Sequence, residues 1–334
     1  MSDSLLDSYD ALLLDLDGTV YHGVNVIPGA AEVLETARER DVPVRFVTNN
    51  ASKAPVAVAE HLRALGVAGV PSEVNTSAQA AAGVLRDRVA VGETVLVVGT
   101  DSLAAEVAAV GLKPVRTVRA GREGIAAVVQ GHSPDTGWAD LAEACLAIRA
   151  GALWVACNAD VTLPAERGLL PGNGAMVAAL RAATGTEPAV AGKPQTPLFE
   201  TAAGSAGASR PLVVGDRLDT DIAGAVAAGM DALVVLTGVA TPATLLAAVP
   251  AERARYLAAD LSALTEPAEL LAIGPQPGWQ VHAEDGALVA TGDGAADATA
   301  LLRVLCGVAW QTGVTTVRAS GDHAAAALVE LALT

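Results

Sequence analysis

The chain has 334 residues, enough for two or three domains and a substantial core. A formal net charge of −16 excludes the basic footprint that non-specific binding to nucleic acid or anionic membrane requires, so neither is an expected partner. Hydrophobic residues make up 52% but aromatics only 3%, so the core has to be built from Ala, Val and Leu.

Residues 1–10 read as a short polar lead-in. An apolar run, Leu12-Leu13-Leu14, then has the character of a buried strand and ends in Asp15-Leu16-Asp17-Gly18-Thr19. Residues two apart on a strand share a face, so Asp15 and Asp17 would stand together at its carboxyl end, with Gly18 allowing a sharp turn. Two carboxylates this close repel, and are tolerated mainly where a cation or a shared proton lies between them. The motif alone is compatible with an ordinary Asp-Gly turn or with a metal-assisted site for phosphate chemistry. The parts found at other strand ends decide between them.

A helix is predicted over 30–40 and a second strand over 42–47, running into Thr48-Asn49-Asn50. Strand, helix and strand of these lengths predict a parallel βαβ unit, whose ligands sit beyond the carboxyl ends of the strands. That rule places Thr48 beside Asp15, though a Thr there also serves as a helix N-cap. Helical patterns cover 55–65 and 76–88. After Gly92-Glu93, a plausible linker, alternation resumes with strands at 95–98, 125–130 and 153–157 and helices at 102–110 and 138–150. This run is expected to be a second small α/β domain inserted into the first. It ends in Asn158-Ala159-Asp160 and a Pro/Gly-rich loop over 164–174, either a lid or a long turn.

Lys193, between Gly192 and Pro194, is one of three lysines, with Lys53 and Lys113. It is a candidate partner for phosphate or carboxylate, or else a surface cation. A last core strand over 211–215 ends in Asp216, with Asp219 and Asp221 close behind. Such a cluster calls for a cation or for helix N-terminal amides. Asp221 is placed at the start of a helix over 222–228, and Asp219 towards solvent. A strand over 232–236 completes the sheet, and 256–264 returns to it. Cys145, Cys157 and Cys306 fit neither a disulfide framework nor a zinc pattern, which suits a reducing compartment. Without a signal-like segment or an apolar run of spanning length, the expected location is cytoplasmic.

The order D-x-D-G-T, then T-N-N, then G-K-P, then V-V-G-D-x-x-x-T-D resembles the haloacid dehalogenase superfamily of phosphatases, and all four of its motifs lie at predicted strand ends. The insertion between the second and third motifs, the T-N-N ending, and Asn158-Ala159-Asp160 with Pro171-Gly172-Asn173-Gly174 resemble the para-nitrophenylphosphatase and phosphoglycolate phosphatase-like branch with the large α/β cap. Where that branch usually carries Asn-Pro-Asp, this chain has Asn-Ala-Asp. Within the branch, it is most similar to bacterial glycerol-3-phosphate phosphatases with an extra C-terminal segment. The resemblance implies a doubly wound, Rossmann-like parallel sheet core over 1–91 and 187–273, a cap over 92–186, and a small α+β extension over 274–334. It also implies a Mg²⁺-dependent phosphomonoester hydrolase acting on a small phosphorylated metabolite, glycerol 3-phosphate first, phosphoglycolate or another small ester as the alternative. Asp15 would be the nucleophile and Asp17 the general acid and base. Thr48 and Lys193 would hold the phosphoryl oxygens, with Leu16, Gly18, Asn49 and Asn50 adding phosphate contacts. Asp15, Asp17 and Asp216 would bind the metal, supported by Asp221.

The tail is expected to form a hairpin around Glu284-Asp285-Gly286, a helix over 295–312, a strand over 314–319 and a helix over 322–333. About sixty residues make a marginal independent fold, so this segment should dock on the core or pair between subunits of a homodimer. Its ββαβα order is like part of an acetyltransferase domain, but without a Gly-rich pantetheine-binding loop. A phosphoacceptor switch of the receiver type also combines Asp, Thr, Lys and an acidic pair. There the pair precedes the acceptor, and an inserted cap has no counterpart.

Overall fold

Every residue of the strand Ala11–Leu14 is buried, as an all-apolar run covered on both faces of a sheet should be. Its neighbour is Pro211–Gly215, parallel and in register Leu14 to Val214, followed in parallel by Asp231–Val235 and Tyr256–Ala258. On its other side the Leu12 amide donates to the Pro43 carbonyl at 2.9 Å, where the strand Val44–Thr48 begins. The computed structural model describes residues 4–120, 124–165, 167–292 and 297–333. They divide into two units: Met1–Arg45, Leu65–Ala68 and Ala206–Thr334 in the first, Phe46–Ala64 and Gly69–Ser205 in the second.

In the first unit the helix Ala30–Glu39 buries Val33, Leu34 and Ala37, the face expected from their spacing. Instead of a polar lead-in, the chain start is anchored: Leu5 and Leu6 are wholly buried around the 3₁₀ turn Leu6–Ser8, and the Leu5 amide donates to the Glu266 carbonyl at 2.7 Å. Two leucines and a tyrosine in a polar stretch are too few to show a period, and their burial is set by distant chain. The Tyr9 hydroxyl donates to Asp231 at 2.8 Å.

The tail has the expected ββαβα order. Strands Trp279–Glu284 and Ala287–Gly292 pair antiparallel around Asp285-Gly286, both at positive φ, the two-residue turn that suits the strand twist. Val317–Ala319 then adds in parallel, shorter than expected. The helix Ala298–Thr312 is capped by Asp297, whose carboxylate accepts from the Ala300 amide at 2.6 Å. The expected start at Ala295 lies outside the described residues. The last helix is Asp322–Glu330. This segment docks on the core of its own unit. The Arg303 Nε donates to the Leu257 carbonyl at 2.7 Å from a buried position, and burial lowers the Arg303 pKa. The Trp310 indole donates to the Leu245 carbonyl at 2.8 Å and carries Arg253 over its ring. Truncating Arg303 to Ala should leave that carbonyl unpaired and cost roughly 2 kcal/mol, read as a lower melting temperature. An unchanged melt would show that the tail is held elsewhere.

In the second unit Phe46, Val47 and Thr48 pair in parallel with Val74–Thr76, a strand too short to register as alternation. A separate five-stranded parallel sheet runs in the order Ala189–Val190, Leu153–Ala156, Ala127–Gln130, Thr94–Val98, Lys113–Val115. The last of these is an unexpected edge strand with Pro114 at its middle, a residue tolerated at an edge. One face of this sheet packs Leu96, Val98, Val128, Trp154 and Ala156 against the helices Trp138–Arg149 and Asn173–Thr184. The stretch 164–174 is not an irregular loop. It contains an antiparallel pair, Thr162–Ala165 with Gly168–Pro171, and the start of the helix at Asn173. Pro164, Gly168 and Pro171, which suggested a loop, lie within these short strands, and Leu169 stands 70% exposed. No helix among the described residues is long and apolar enough to cross a membrane.

Candidate functional site

The register of the first unit's sheet puts two acids side by side. Because Leu14 pairs with Val214, the chain leaves the two strands together, and the Asp15 amide donates to the Val214 carbonyl at 2.9 Å. Asp15, Asp216 and Asp221 each bring a carboxylate oxygen within 4.8 Å of the others. Asp216 and Asp221 are both 1% exposed. Asp221 is not a cap or first-turn acid of an ordinary helix. It lies buried in a wide π-helical turn, Leu218–Ile222, with its Oδ2 accepting from the Arg217 amide at 3.1 Å. Asp219 faces outward as expected and pairs with Arg217 at 2.7 Å; hydrogen bonding to that guanidinium holds its carboxyl below the usual range.

Three anionic oxygen donors this close, two of them buried, fit a hard divalent cation such as Mg²⁺. Without one, their mutual repulsion in a poorly solvated site is unfavourable. Asp17 follows Asp15 in the turn that Gly18 completes at φ +86°, with the Gly18 amide donating to the Tyr21 carbonyl at 2.8 Å. The Leu16 carbonyl receives the Val20 amide at 2.9 Å. Tyr21 is buried beneath this turn. Its phenol is pushed up first by burial and then by the negative charges of Asp17 and Asp15, so it stays protonated. The Asp216 side chain is fixed in turn: its Oδ2 accepts from the Val239 amide at 2.7 Å, and a Cβ at Gly18 or Gly238 would run into its carboxylate.

In the second unit, Thr48, Asn49, Asn50 and Lys193 come together. Thr48 ends its strand buried, and its Oγ1 accepts from the Asn50 amide at 3.1 Å. The Asn50 carboxamide turns back to accept from Ser52 at 2.8 Å, so it shapes the loop. Asn49 is a strut: its Oδ1 accepts from the Lys193 amide at 2.8 Å, and its Nδ2 donates to the Lys193 carbonyl at 3.1 Å and to Asp160 at 3.2 Å. Lys193 itself is only 4% exposed, which removes the surface-cation reading, and its Nζ donates to the Val47 carbonyl at 3.1 Å. The Lys193–Pro194 peptide bond is cis.

Two sets of residues escaped the sequence. Asn158 donates to the Asn49 carbonyl at 2.7 Å, Asn173 donates to the Asn158 carbonyl at 2.7 Å, and Gln130 accepts from the Trp154 indole at 3.2 Å. These buried amides tie the Asn49 loop to the five-stranded sheet. Only Asn158 and Asn173 stood in a noted motif, and Gln130 looked like the polar end of a strand. The other set is Thr237-Gly238-Val239. It follows the strand Asp231–Val235 after Leu236, so the strand-end rule that found Asp15 and Asp216 would have found it too.

The chain matches the family model of the haloacid dehalogenase-like hydrolases over residues 12–113, an HAD-hydrolase-like model over 190–264, and a GCN5-related N-acetyltransferase-like domain over 276–333. It is 52% identical over 294 residues to a D-glycerol 3-phosphate phosphatase of Mycobacterium tuberculosis, covering 88% of this chain and 82% of that protein. It is 37% identical over 236 residues to a 5'-nucleotidase of Bacillus subtilis, covering 70% and 90%. Among solved structures, glycerol phosphate phosphatase from M. tuberculosis in complex with magnesium superposes with a TM-score of 0.94 at 48% identity over all of both chains. The 4-nitrophenylphosphatase of Thermotoga maritima superposes with a TM-score of 0.71 at 30% identity, covering 78% of this chain and 98% of that one.

Proposed function

Because the chain belongs to the haloacid dehalogenase-like hydrolases, and within them to the phosphatases, we propose that it hydrolyses glycerol 3-phosphate through an aspartyl-phosphate on Asp15. The observation that carries this reading is the cluster of Asp15 and Asp216, at the ends of neighbouring strands, with Asp221 from the turn that follows. Mg²⁺ bound by Asp15, the Asp17 carbonyl and Asp216, with Asp221 behind them, supplies charge neutralisation for the transferring phosphoryl group.

The chain's own residues do the rest. An Asp15 oxygen attacks phosphorus and the ester P–O bond breaks. Asp17 gives its proton to the departing alkoxide, which separates a phosphatase from a dehalogenase. Asp17, now ionised, takes a proton from water as that water attacks phosphorus and the bond to Asp15 breaks. Thr48 and Lys193 hold phosphoryl oxygens, with backbone amides at Leu16, Gly18 and Asn49 as further donors and Asn50 shaping the loop, its amide being taken by the Thr48 hydroxyl. Of these, Gly18 serves mainly through its turn, its amide being engaged by Tyr21.

Residues 92–186 are proposed as the cap that sets substrate choice, 1–91 and 187–273 as the catalytic core, and 274–334 as an extension. A place in glycerolipid metabolism, a cytoplasmic location and a homodimeric state complete the proposal. The three thiols, Cys145, Cys157 and Cys306, are all unpaired, which suits a reducing compartment.

The test is phosphate release from a panel of esters in Mg²⁺: glycerol 3-phosphate, phosphoglycolate, nucleoside 5'-monophosphates and an aryl phosphate. The highest kcat/KM is expected for glycerol 3-phosphate. A nucleotide turned over best would move the assignment to the 5'-nucleotidase relative, and an aspartyl-phosphate surviving for hours would make the protein a switch. Shortening the hairpin Thr162–Pro171 should lower kcat/KM for the small ester several-fold more than for the aryl phosphate. Equal losses would make the hairpin structural.

A further inference from the structure

Thr237 does not belong to any of the four motifs, yet it joins the two acidic strand ends of the first unit. Its Oγ1 donates to the Gly18 carbonyl at 2.6 Å, one residue beyond Asp17. Its own carbonyl is bonded to a ring nitrogen of His22, which lies on the hairpin Tyr21–His22 with Asn25–Val26 that follows the Asp17 turn. Two residues on, the Val239 amide donates to the Asp216 Oδ2 at 2.7 Å, and the Ala240 amide to the Asp216 carbonyl at 2.8 Å. Between them, Gly238 has no room for a Cβ because the Asp216 carboxylate occupies that space, and a Cβ at Gly18 would meet the same carboxylate less deeply.

We propose that Thr237 is a positioning residue for the metal site: its hydroxyl fixes the Asp15–Gly18 turn against the loop that holds the Asp216 carboxylate. This rests on the phosphatase reading. The physical reason is the softness of Gly18, whose backbone can rotate through several regions once its carbonyl is released. The carbonyl of Asp17, one of the metal donors, is joined directly to Gly18. A hydroxyl clamp on the next carbonyl therefore sets the angle at which the Asp17 carbonyl and the Asp216 carboxylate converge. Supporting groups of this kind change metal affinity by about tenfold or more when removed.

The experiment compares Thr237→Val, which keeps the shape but loses the donor, with Thr237→Ser, which keeps the donor. Each is titrated with Mg²⁺, following both the melting temperature and phosphate release. Thr237→Val is expected to need Mg²⁺ higher by about tenfold or more for half its effect in both readouts. KM for the ester at saturating Mg²⁺ should change less than about twofold, and Thr237→Ser should match the parent. Gly238→Ala, which pushes on the Asp216 carboxylate itself, should raise the Mg²⁺ requirement further. A Thr237→Val protein with the parent's Mg²⁺ titration overturns the proposal, as does a Ser variant as impaired as Val, because then the methyl packing matters and not the hydroxyl. If the parent shows no Mg²⁺-dependent melting shift, the metal site and this proposal fall together. A parent that binds Mg²⁺ but releases no phosphate sinks the functional reading alone, since the melting titration still reads the role of Thr237.

Discussion

Asp15→Asn is expected to leave a folded protein with turnover reduced on the order of 10⁴-fold or more. The carboxylate is the atom group that bonds to phosphorus, and an amide oxygen is too weak a nucleophile to replace it. The fold should survive because the Asp15 backbone amide, which donates to the Val214 carbonyl at 2.9 Å, is unchanged by the substitution. The strand beneath it, Ala11–Leu14, keeps its buried apolar side chains. Removing one of three clustered negative charges also relieves repulsion in the absence of a cation, so the melting temperature in chelator should be equal to or above the parent's. Circular dichroism, a melt and a phosphate-release assay suffice. Turnover comparable to the parent would rule out the covalent route. A collapsed melt would show that Asp15 is structural, and the activity loss would then say nothing about chemistry.

Much of the candidate site was legible because its residues sit at the carboxyl ends of apolar strands, and such strands announce themselves as runs of Leu and Val. Asp15, Thr48 and Asp216 each end a run of this kind, and the parallel register then sets Asp15 beside Asp216. Lys193 was recognisable by its scarcity, since lysine is used only three times. What could not be read was the direction in which polar side chains turn. Asn49 and Asn50 stand beside Thr48 in sequence, yet their carboxamides bind Lys193 and Ser52 backbone groups and build the loop. Asp221 lies one turn from Asp216, and only the wide π-helical turn brings its carboxylate back into the cluster. Short elements were lost for a simpler reason. Val74–Thr76, Lys113–Val115 and Thr162–Ala165 are too brief to display a period, and they exist because a neighbouring strand pairs with them.

The C-terminal segment shows how far likeness of order carries. Its ββαβα order agrees with the acetyltransferase-like family model matched over 276–333. Its longest helix spends its apolar face and Arg303 on the phosphatase sheet, against Leu257. That docking accounts for the burial of Cys306, whose thiol is pushed up to about 12 and is inert as a nucleophile at neutral pH. Packed this way, the segment buries apolar surface and a charged side chain against its own unit.

Asp216→Asn should separate metal affinity from fold, and its sign depends on Mg²⁺. The side chain is buried at 1% exposure, and the Val239 amide donates to it at 2.7 Å; an asparagine keeps both the volume and an oxygen for that amide. In chelator the variant carries one negative charge fewer in the cluster, so it should melt at or above the parent temperature. Mg²⁺ binds only the folded form, so adding it should raise the parent's melt by mass action and leave the variant almost unmoved; the order of the two therefore inverts across the titration. Turnover should need Mg²⁺ higher by a factor on the order of a hundred, because a charged ligand is lost and not merely its support. Calcium provides the second control. Its shell of about six to eight oxygens at roughly 2.3–2.6 Å is looser than the near-octahedral shell of magnesium at about 2.0–2.1 Å. The larger ion can engage both Asp15 oxygens, including the one that attacks, so Ca²⁺ should stabilise the parent against heat while supporting little turnover. Equal rates with the two ions, full activity in chelator, or an Asn variant whose melt rises with Mg²⁺ as the parent's does would each show that these carboxylates are not the metal ligands.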